Sequence, residues 1–485
     1  MSTTPVLLVR AFFSQYSGAG HLFRTLAVVE CALRDGWRVI VITDEVVNGL
    51  PLQHPQLQWH SLPAAKQSEM DDARCCLRLC QATLDVVSLV LVDHYHLGRD
   101  WEATVEDVAP VAAIDDLCRT HFSSAWLIDY FPGRRYSDYV HPQTLQLLGL
   151  KYLLLRSGFR CASSAVMDSE NKHQLNILLQ FGGADVEQFP LPVLRALHNM
   201  PELKGNICWL QGDIALLDFW QRDDLTVQVT SRCLDMPALY RKNTIAIGAA
   251  GVAMWERTAI GLPSFVWQVA ENQHDNFVVA KGYSLIHCCD IAPAEPERWR
   301  ESFLSWLENS EPASQPGIDV FGANRVWQKI CPEAFSLQQR VMFKPYSEAD
   351  IDALFRLQQL PAIRQFSRNP EPLTWQEHLG WSGRLLASDQ EQGWLMIAPT
   401  GAAIGWLKLN EADEKKYREI SLLIDPEYQA MGLGKCILNF AKTQHDCLKA
   451  YVETANTASN RLFRQCEFHQ EQNWFYWCLN RGGTQ

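Results

Sequence analysis

The stretch Val6-Leu7-Leu8-Val9-Arg10-Ala11-Phe12-Phe13-Ser14-Gln15-Tyr16-Ser17-Gly18-Ala19-Gly20-His21 decides the fold. The apolar run Val6 to Val9 predicts a strand, Ser14 to Gly20 a loop of small residues, and the apolar spacing from His21 to Arg34 a helix. Strand, glycine loop and helix in that order open a doubly wound α/β domain. A nicotinamide or flavin fingerprint needs a third glycine for close helix packing, and Phe23 stands in its place. His21 sits where the positive end of the helix dipole favours neutral imidazole, which suits it to accept a proton near neutral pH. It is a candidate general base; the plainer reading is a histidine that caps the loop by hydrogen bonding.

Outward from this stretch, strands are expected at Arg38–Thr43, Ser88–Asp93, Ala112–Ile114 and Ala125–Asp129, with a helix at Asp72–Leu84. A second cycle starts at Asn176–Gln180 and passes through Phe181-Gly182-Gly183-Ala184-Asp185 into a helix at Leu191–His198. It continues with strands near Ile207–Leu210 and Thr226–Thr230. Two such halves imply a cleft between them. Asn309 to Gly317 reads as a loop before a helix at Ala323–Ile330. Beyond about residue 335 the pattern becomes α+β: a helical start at Glu348–Leu360, a hairpin at Trp394–Leu409 turning on Pro399-Thr400-Gly401, and a strand at Glu419–Ile424. The expected domains are two Rossmann-type lobes at 1–160 and 161–335, then an α+β domain at 340–485.

The whole-chain numbers fit this division. At about 150 residues per domain, 485 residues predict roughly three units. With 55 acidic against 43 basic side chains, the formal charge of −12 opposes binding to nucleic acid or an anionic membrane, so an anionic ligand must be held by a local site. The longest apolar runs, such as Val86 to Val92, fall well short of the ~20 residues that span a bilayer, and the first residues lack a signal-peptide pattern. A cytoplasmic protein is expected. The 15 cysteines form no Cys-x-x-Cys pair, and His94-Tyr95-His96 lacks further ligands at zinc-like spacing, so no metal is expected.

Gly248-Ala249-Ala250-Gly251-Val252-Ala253-Met254-Trp255-Glu256 is a second small-residue loop entering a helix, and its amides can bind a phosphate without a side-chain cation. Glu256 then lies where a carboxylate can accept hydrogen bonds from ribose hydroxyls. Glu271-Asn272-Gln273 follows a strand expected at Ser264–Val269 and puts three polar side chains at a strand's carboxyl end, the kind of place that lines clefts.

Taken together, Arg10, Gly18-Ala19-Gly20-His21, Val92-Asp93-His94-Tyr95, Ile114-Asp115-Asp116, Phe181-Gly182-Gly183-Ala184-Asp185, Trp255-Glu256-Arg257 and Glu271-Asn272-Gln273 resemble, in this order, the UDP-2,4-diacetamido-2,4,6-trideoxy-β-L-altropyranose hydrolases of pseudaminic acid biosynthesis. The resemblance covers about residues 1–330 and implies a GT-B-like pair of lobes. It implies cleavage of the anomeric carbon–oxygen bond with inversion, releasing UDP and the free sugar. His21 matches the family's catalytic histidine. Arg10, Gly18, Gly20, Tyr95, Gly251, Glu256, Glu271, Asn272 and Gln273 are the expected substrate-binding residues. The chain departs from the family's pattern at Phe12, at Tyr130-Phe131, and at Ser157-Gly158 within Leu155-Arg156-Ser157-Gly158-Phe159.

In the last domain, Asp425-Pro426-Glu427-Tyr428-Gln429-Ala430-Met431-Gly432-Leu433-Gly434-Lys435 precedes an apolar helix at Cys436–Ala441, and successive amides of such a turn can cradle a pyrophosphate. With Asn456-Thr457-Ala458-Ser459 and Cys466-Glu467-Phe468 it resembles the GNAT-type N-acetyltransferases, which implies acetyl-CoA as cosubstrate. Gln429, Gly432, Gly434, Lys435 and Asn456 are then the expected cofactor-binding residues. Arg364, Asn369, Trp375, His378 and Trp381 resemble the opening of the acetyltransferase that acts on the 4-amino group of the preceding UDP-sugar. Glu419 is the candidate base. Phe463 stands where relatives place a tyrosine thiolate donor, which leaves that acid unassigned. A bifunctional nucleotide-sugar enzyme is expected, with a UDP-sugar glycosyltransferase or a non-catalytic UDP-sugar- and CoA-binding scaffold as alternatives.

Overall fold

The computed structural model describes residues 4–13, 20–47, 49, 52–62, 68–82, 86–119, 123–139, 144–160, 174–182, 188–230, 233, 235–310, 317–367, 369–412 and 417–479. Contacts divide the chain into two units, Met1–Leu33 with Trp37–Val326, and Arg34–Gly36 with Trp327–Gln485. Among the described residues the first unit holds two parallel sheets, one for each expected Rossmann-type lobe, and the second holds one largely antiparallel sheet.

Seven strands build the first sheet: β1 (Val6–Ala11), β2 (Arg38–Thr43), β3 (Leu57–Ser61), β4 (Val87–Asp93), β5 (Val111–Ile114), β6 (Trp126–Asp129) and β7 (Leu145–Leu148). They lie in the order β3-β2-β1-β4-β5-β6-β7. β1 is buried along its whole length, as a parallel strand covered on both faces must be, which explains its unbroken apolar run. The strands β3 and β7 sit at the edges and escape the sequence pattern. An edge strand pairs on one side only, and Leu57-Gln58-Trp59-His60-Ser61 is accordingly only part-buried.

The second sheet comprises β8 (Gln174–Gln180), β9 (Lys204–Leu210), β10 (Leu225–Thr230), β11 (Ile245–Ala249), β12 (Ser264–Trp267) and β13 (Ile286–Cys288), in the order β10-β9-β8-β11-β12-β13. β12 ends two residues before the expected Val269. The Val269 amide leaves the ladder and donates to Gln273 Oε1 at 3.1 Å. Gly248 is required where β11 meets β8, because a Cβ there would lie 1.9 Å from the Gln180 carbonyl oxygen.

The second unit's sheet has the order β14-β15-β16-β17-β18-β20-β19, from β14 (Met342–Pro345), β15 (Gln392–Ile397), β16 (Ala403–Ala412), β17 (Arg418–Ile424), β18 (Cys447–Tyr451), β19 (His469–Glu471) and β20 (Trp474–Cys478). The expected hairpin is present, with Gly401 at a φ of 85° in its turn. The expected helix at Glu348–Leu360 is shorter: a Ser347/Asp350 capping box opens a 3-10 turn, and the α-helix runs Ile351–Gln358. The Leu360-Pro361 step disfavours helical geometry at Leu360 and ends it.

Candidate functional site

In the first sheet the chain turns back at the β1/β4 boundary, and the second sheet repeats this at β8/β11. Clefts in such sheets form beyond the carboxyl ends of the strands at these switch points. The candidate residues cluster at both.

His21 is the second residue of the helix Gly20–Arg34, which follows β1, and Asp93 is the last residue of β4. His21 Nδ1 lies 2.6 Å from Asp93 Oδ1, with the imidazole 13% exposed and the carboxylate wholly buried. A carboxylate only accepts, so Nδ1 carries a proton and Nε2 is the ring nitrogen left outside this contact. One helical turn along, Arg24 donates Nε to Asp93 Oδ2 at 2.5 Å and Nη2 to Oδ1 at 2.6 Å. Its Nη2 is also 2.9 Å from His21 Nδ1, because both donors converge on the same oxygen. Burial alone would raise the Asp93 pKa, but the Arg24 guanidinium and then His21 draw it down to about 2. The carboxylate thus orients the imidazole while Arg24 balances its charge.

The same guanidinium donates Nη1 to Asp116 Oδ2 at 2.7 Å and to the Tyr130 hydroxyl at 3.3 Å. Tyr95 donates its hydroxyl to Asp116 Oδ2 at 3.3 Å and meets the His21 ring edge-on at 4.2 Å. Burial and then Asp116 raise the Tyr95 pKa, so the phenol stays protonated. The departures from the resembled family also fall here. Phe12 packs edge-on against His21 at 5.6 Å and His94 at 5.2 Å, and Tyr130 supports Arg24. Asp93, Arg24 and Asp116 were not singled out as site residues from the sequence. The signal was an aspartate closing an otherwise apolar, buried strand.

Arg10, expected among the substrate-binding residues, lies near the carboxyl end of β1. Its guanidinium is fully buried, donating to Asp72 Oδ1 at 3.1 Å and Oδ2 at 2.9 Å and to Asp44 Oδ1 at 2.8 Å, and Asp44 in turn holds His94 Nε2 at 3.1 Å. These contacts brace the carboxyl end of β1, while Arg10 Nη1 is buried without a hydrogen-bond partner among the described residues. Gly20 opens the helix with open space around it, and Gly18 lies outside the described residues.

At the second switch point Gly251 caps the helix Val252–Ile260 without a side chain, leaving first-turn amides at the carboxyl end of β11. Gln273 is brought to it: a Cβ on Gly251 would lie 3.4 Å from Gln273 Nε2. Glu271, Asn272 and Gln273 form a 3-10 turn after β12, with Glu271 exposed. Glu256 accepts from the Tyr240 hydroxyl at 2.9 Å through Oε2, and burial pushes its pKa up. Arg134 joins the end of β6 to the helix His274–Ala280, with Nε on Asp129 Oδ2 at 2.7 Å and Nη1 on Asp275 Oδ2 at 3.4 Å. Residues 183–185 lie outside the described residues.

In the second unit, β17 and β18 run parallel but pair only at Arg418↔Leu448 and Glu419↔Lys449. Past Glu419 they separate, so the sheet opens between Ile420–Ile424 and Ala450–Tyr451, with Glu419 at the apex. The turn at β17's far end leads into the helix Leu433–Gln444, whose N-cap is Gly432 at a φ of 77°. Lys435 is exposed in its first turn. Gly434 has a packing reason of its own: a Cβ would lie 2.7 Å from Leu462 Cδ2. Gln429 precedes Ala430, which has a φ of 61°. Asn456 caps the helix Thr457–Gln465, its Oδ1 accepting from the Ser459 amide at 3.0 Å. That oxygen is spent on the helix end. Phe463 is buried against Phe468 and Phe475, a core position. Among the described residues no cluster of three or more His, Cys, Asp or Glu side chains is arranged to hold a metal ion. No helix among them is long and apolar enough to cross a membrane.

Residues 340–469 match the acetyltransferase (GNAT) domain family. The protein thus combines two Rossmann-type sheets with a C-terminal GNAT domain, for which acetyl-CoA fits as cosubstrate. Over 285 residues, 55% of this chain and 54% of the relative, it is 22% identical to the uncharacterized protein MJ1062 of Methanocaldococcus jannaschii. It is 27% identical to the spore coat polysaccharide biosynthesis protein SpsG of Bacillus subtilis over 157 residues, 31% of this chain and 46% of the relative. The chain thus spans about half the length of these curated relatives. Among solved structures, MurG of Acinetobacter baumannii aligns with a TM-score of 0.46 at 15% identity, covering 67% of this chain and 99% of MurG. The spermidine N-acetyltransferase of Vibrio cholerae in complex with CoA and spermine aligns with a TM-score of 0.26 at 15% identity, covering 29% of this chain and 93% of that one.

Proposed function

We propose that the chain is a bifunctional nucleotide-sugar enzyme. Its lobes at 1–160 and 161–335 hydrolyse UDP-2,4-diacetamido-2,4,6-trideoxy-β-L-altropyranose, and its domain at 340–485 acetylates the 4-amino group of the preceding UDP-sugar. The observation that carries the hydrolase half is the 2.6 Å contact of His21 Nδ1 with the buried Asp93 carboxylate, at the point where the strand order of the first sheet reverses. His21 Nε2 takes a proton from water as the water oxygen attacks the anomeric carbon, and the bond from that carbon to the β-phosphate oxygen breaks with inversion. The amides after Gly251 meet the diphosphate, which stabilises the leaving group as its charge develops. Tyr95, Glu271 and Gln273 line the sugar side, and Glu256 the ribose side. The relative named for spore coat polysaccharide biosynthesis supports a carbohydrate substrate.

For acetyl transfer, the amides of the Gln429–Lys435 turn receive the CoA diphosphate, and its amide-bearing arm enters the opening between β17 and β18. Glu419 at the apex accepts the proton of the attacking amine. Supplying acetyl-CoA and the UDP-4-amino sugar while following thiol and UDP release separately tests the proposal. Both products are expected. Thiol without UDP contradicts the hydrolase half, and UDP release only with a second sugar present replaces it with glycosyl transfer.

A further inference from the structure

Strands β18 and β20 run antiparallel, with Cα partners from Cys447↔Cys478 to Tyr451↔Trp474. Just beyond the first pair, the Leu479 amide donates to the Asp446 carbonyl at 2.8 Å. Asp446 and Leu479 are therefore a hydrogen-bonded pair, and alternation along the ladder makes Cys447 and Cys478 a non-hydrogen-bonded one. In that position facing Cα atoms are about 4.5 Å apart and side chains lie nearest each other. A disulfide accepts Cα separations of roughly 4.4–6.8 Å. Both residues are thiols, and their sulfurs lie on one face of the sheet, 2.8 Å apart.

We propose that Cys447 and Cys478 are a modification site, a reversible cross-strand disulfide of the acetyltransferase domain. Access favours Cys478 as the entry point. It is exposed, whereas Cys447 is half-buried, and β19 pairs with β20 only as far as Tyr476, so Cys478 lies past the end of that ladder. The oxidant is a low-molecular-mass disulfide. The Cys478 thiolate attacks one of its sulfurs, forming a mixed disulfide and expelling one thiolate. The Cys447 thiolate then attacks Cys478 Sγ and expels the second. Two protein thiols are oxidised, the small disulfide is reduced to two thiols, and the two protons released pass to the departing thiolates. The new bond ties the base of the excursion 448–477, which carries the helix Thr457–Gln465 and its cap Asn456. This assignment stands apart from the proposed reactions.

The test treats the full chain with oxidised glutathione, blocks remaining thiols with iodoacetamide and digests with trypsin without reductant. Cleavage after Lys442, Lys449, Arg464 and Arg481 places Cys447 in peptide 443–449, and Cys466 and Cys478 together in peptide 465–481. The expected result is a 443–449/465–481 adduct that dithiothreitol removes, retained in Cys466→Ser and lost in both Cys447→Ser and Cys478→Ser. Unlinked alkylated peptides in the wild type, arrest at a glutathione adduct on Cys478, or an adduct that persists in Cys478→Ser would each overturn the proposal.

Discussion

His21 Nδ1 and Asp93 Oδ1 lie 2.6 Å apart, joining the first helix to the end of β4 across the β1/β4 switch point. This contact sets which imidazole nitrogen is free. Asp93→Asn preserves shape but presents an amide that can hold the other tautomer. UDP release is expected to fall by up to about 10⁴-fold, the loss that the same aspartate-to-asparagine change produces in a serine protease by holding the wrong tautomer. Acetyl transfer, measured as thiol release on the same sample, should stay within twofold. Unchanged hydrolysis would remove Asp93 from the mechanism.

His21→Ala is expected to abolish UDP release while leaving acetyl-CoA turnover intact. Steady-state assays of both half-reactions on one preparation check this. Full hydrolysis by the variant would show that another group activates the water.

Acid stability follows from the same pair. The Asp93 pKa is lowered to about 2, so its contribution is complete above the unfolded value of about 3.9 and is lost as pH falls through the folded value. Between pH 4 and pH 2 the wild type should lose more stability than Asp93→Asn, read as the difference in Tm. Parallel losses would show that the carboxylate is not held ionised.

Asp35, in the second unit, has the opposite sign. Its side chain is buried and accepts from Trp327 Nε1 at 2.7 Å, yet burial pushes its pKa to about 6. A carboxyl raised in the fold contributes fully below about 3.9 and loses that contribution as pH rises through 6. Asp35→Asn keeps an acceptor for Trp327 and is expected to stabilise the protein at pH 7.5 by about 1–3 kcal/mol, with the gain vanishing below about pH 4. Thermal unfolding at both pH values checks it, and an equal effect at each would contradict the charge argument.

Gly248→Ala should destabilise the second sheet by several kcal/mol, since its Cβ meets the Gln180 carbonyl oxygen at 1.9 Å and backbone cannot yield cheaply. A lowered Tm with loss of UDP binding is expected. A wild-type Tm would show that β8 and β11 part without cost.

Legibility in the sequence followed unbroken runs of large apolar residues: the central strand β11 is buried at every residue, yet its Gly248-Ala249 end reads as loop because the residues are small. β1 and β4 announce themselves through continuous apolar runs, whereas the edge strands β3 and β7, part polar, do not. His21 stood out because it follows a glycine loop. Its partners Asp93, Arg24 and Asp116 are separated by up to 92 positions and are joined only when β1, β4 and β5 align. Arg10 is named by the resemblance alone, and its buried partners Asp72 and Asp44, 62 and 34 positions away, are joined to it only in the fold. In the last domain the glycine turn was legible, but Gly434 has a packing role against Leu462 that sequence spacing does not reveal.

The central claim is that water displaces UDP at the anomeric carbon under His21. Hydrolysis in ¹⁸O-labelled water, with mass spectrometry of both products, tests it most directly. The label is expected in the free sugar and none in UDP. Label in the β-phosphate of UDP, or no UDP release until a second sugar is added, would contradict it.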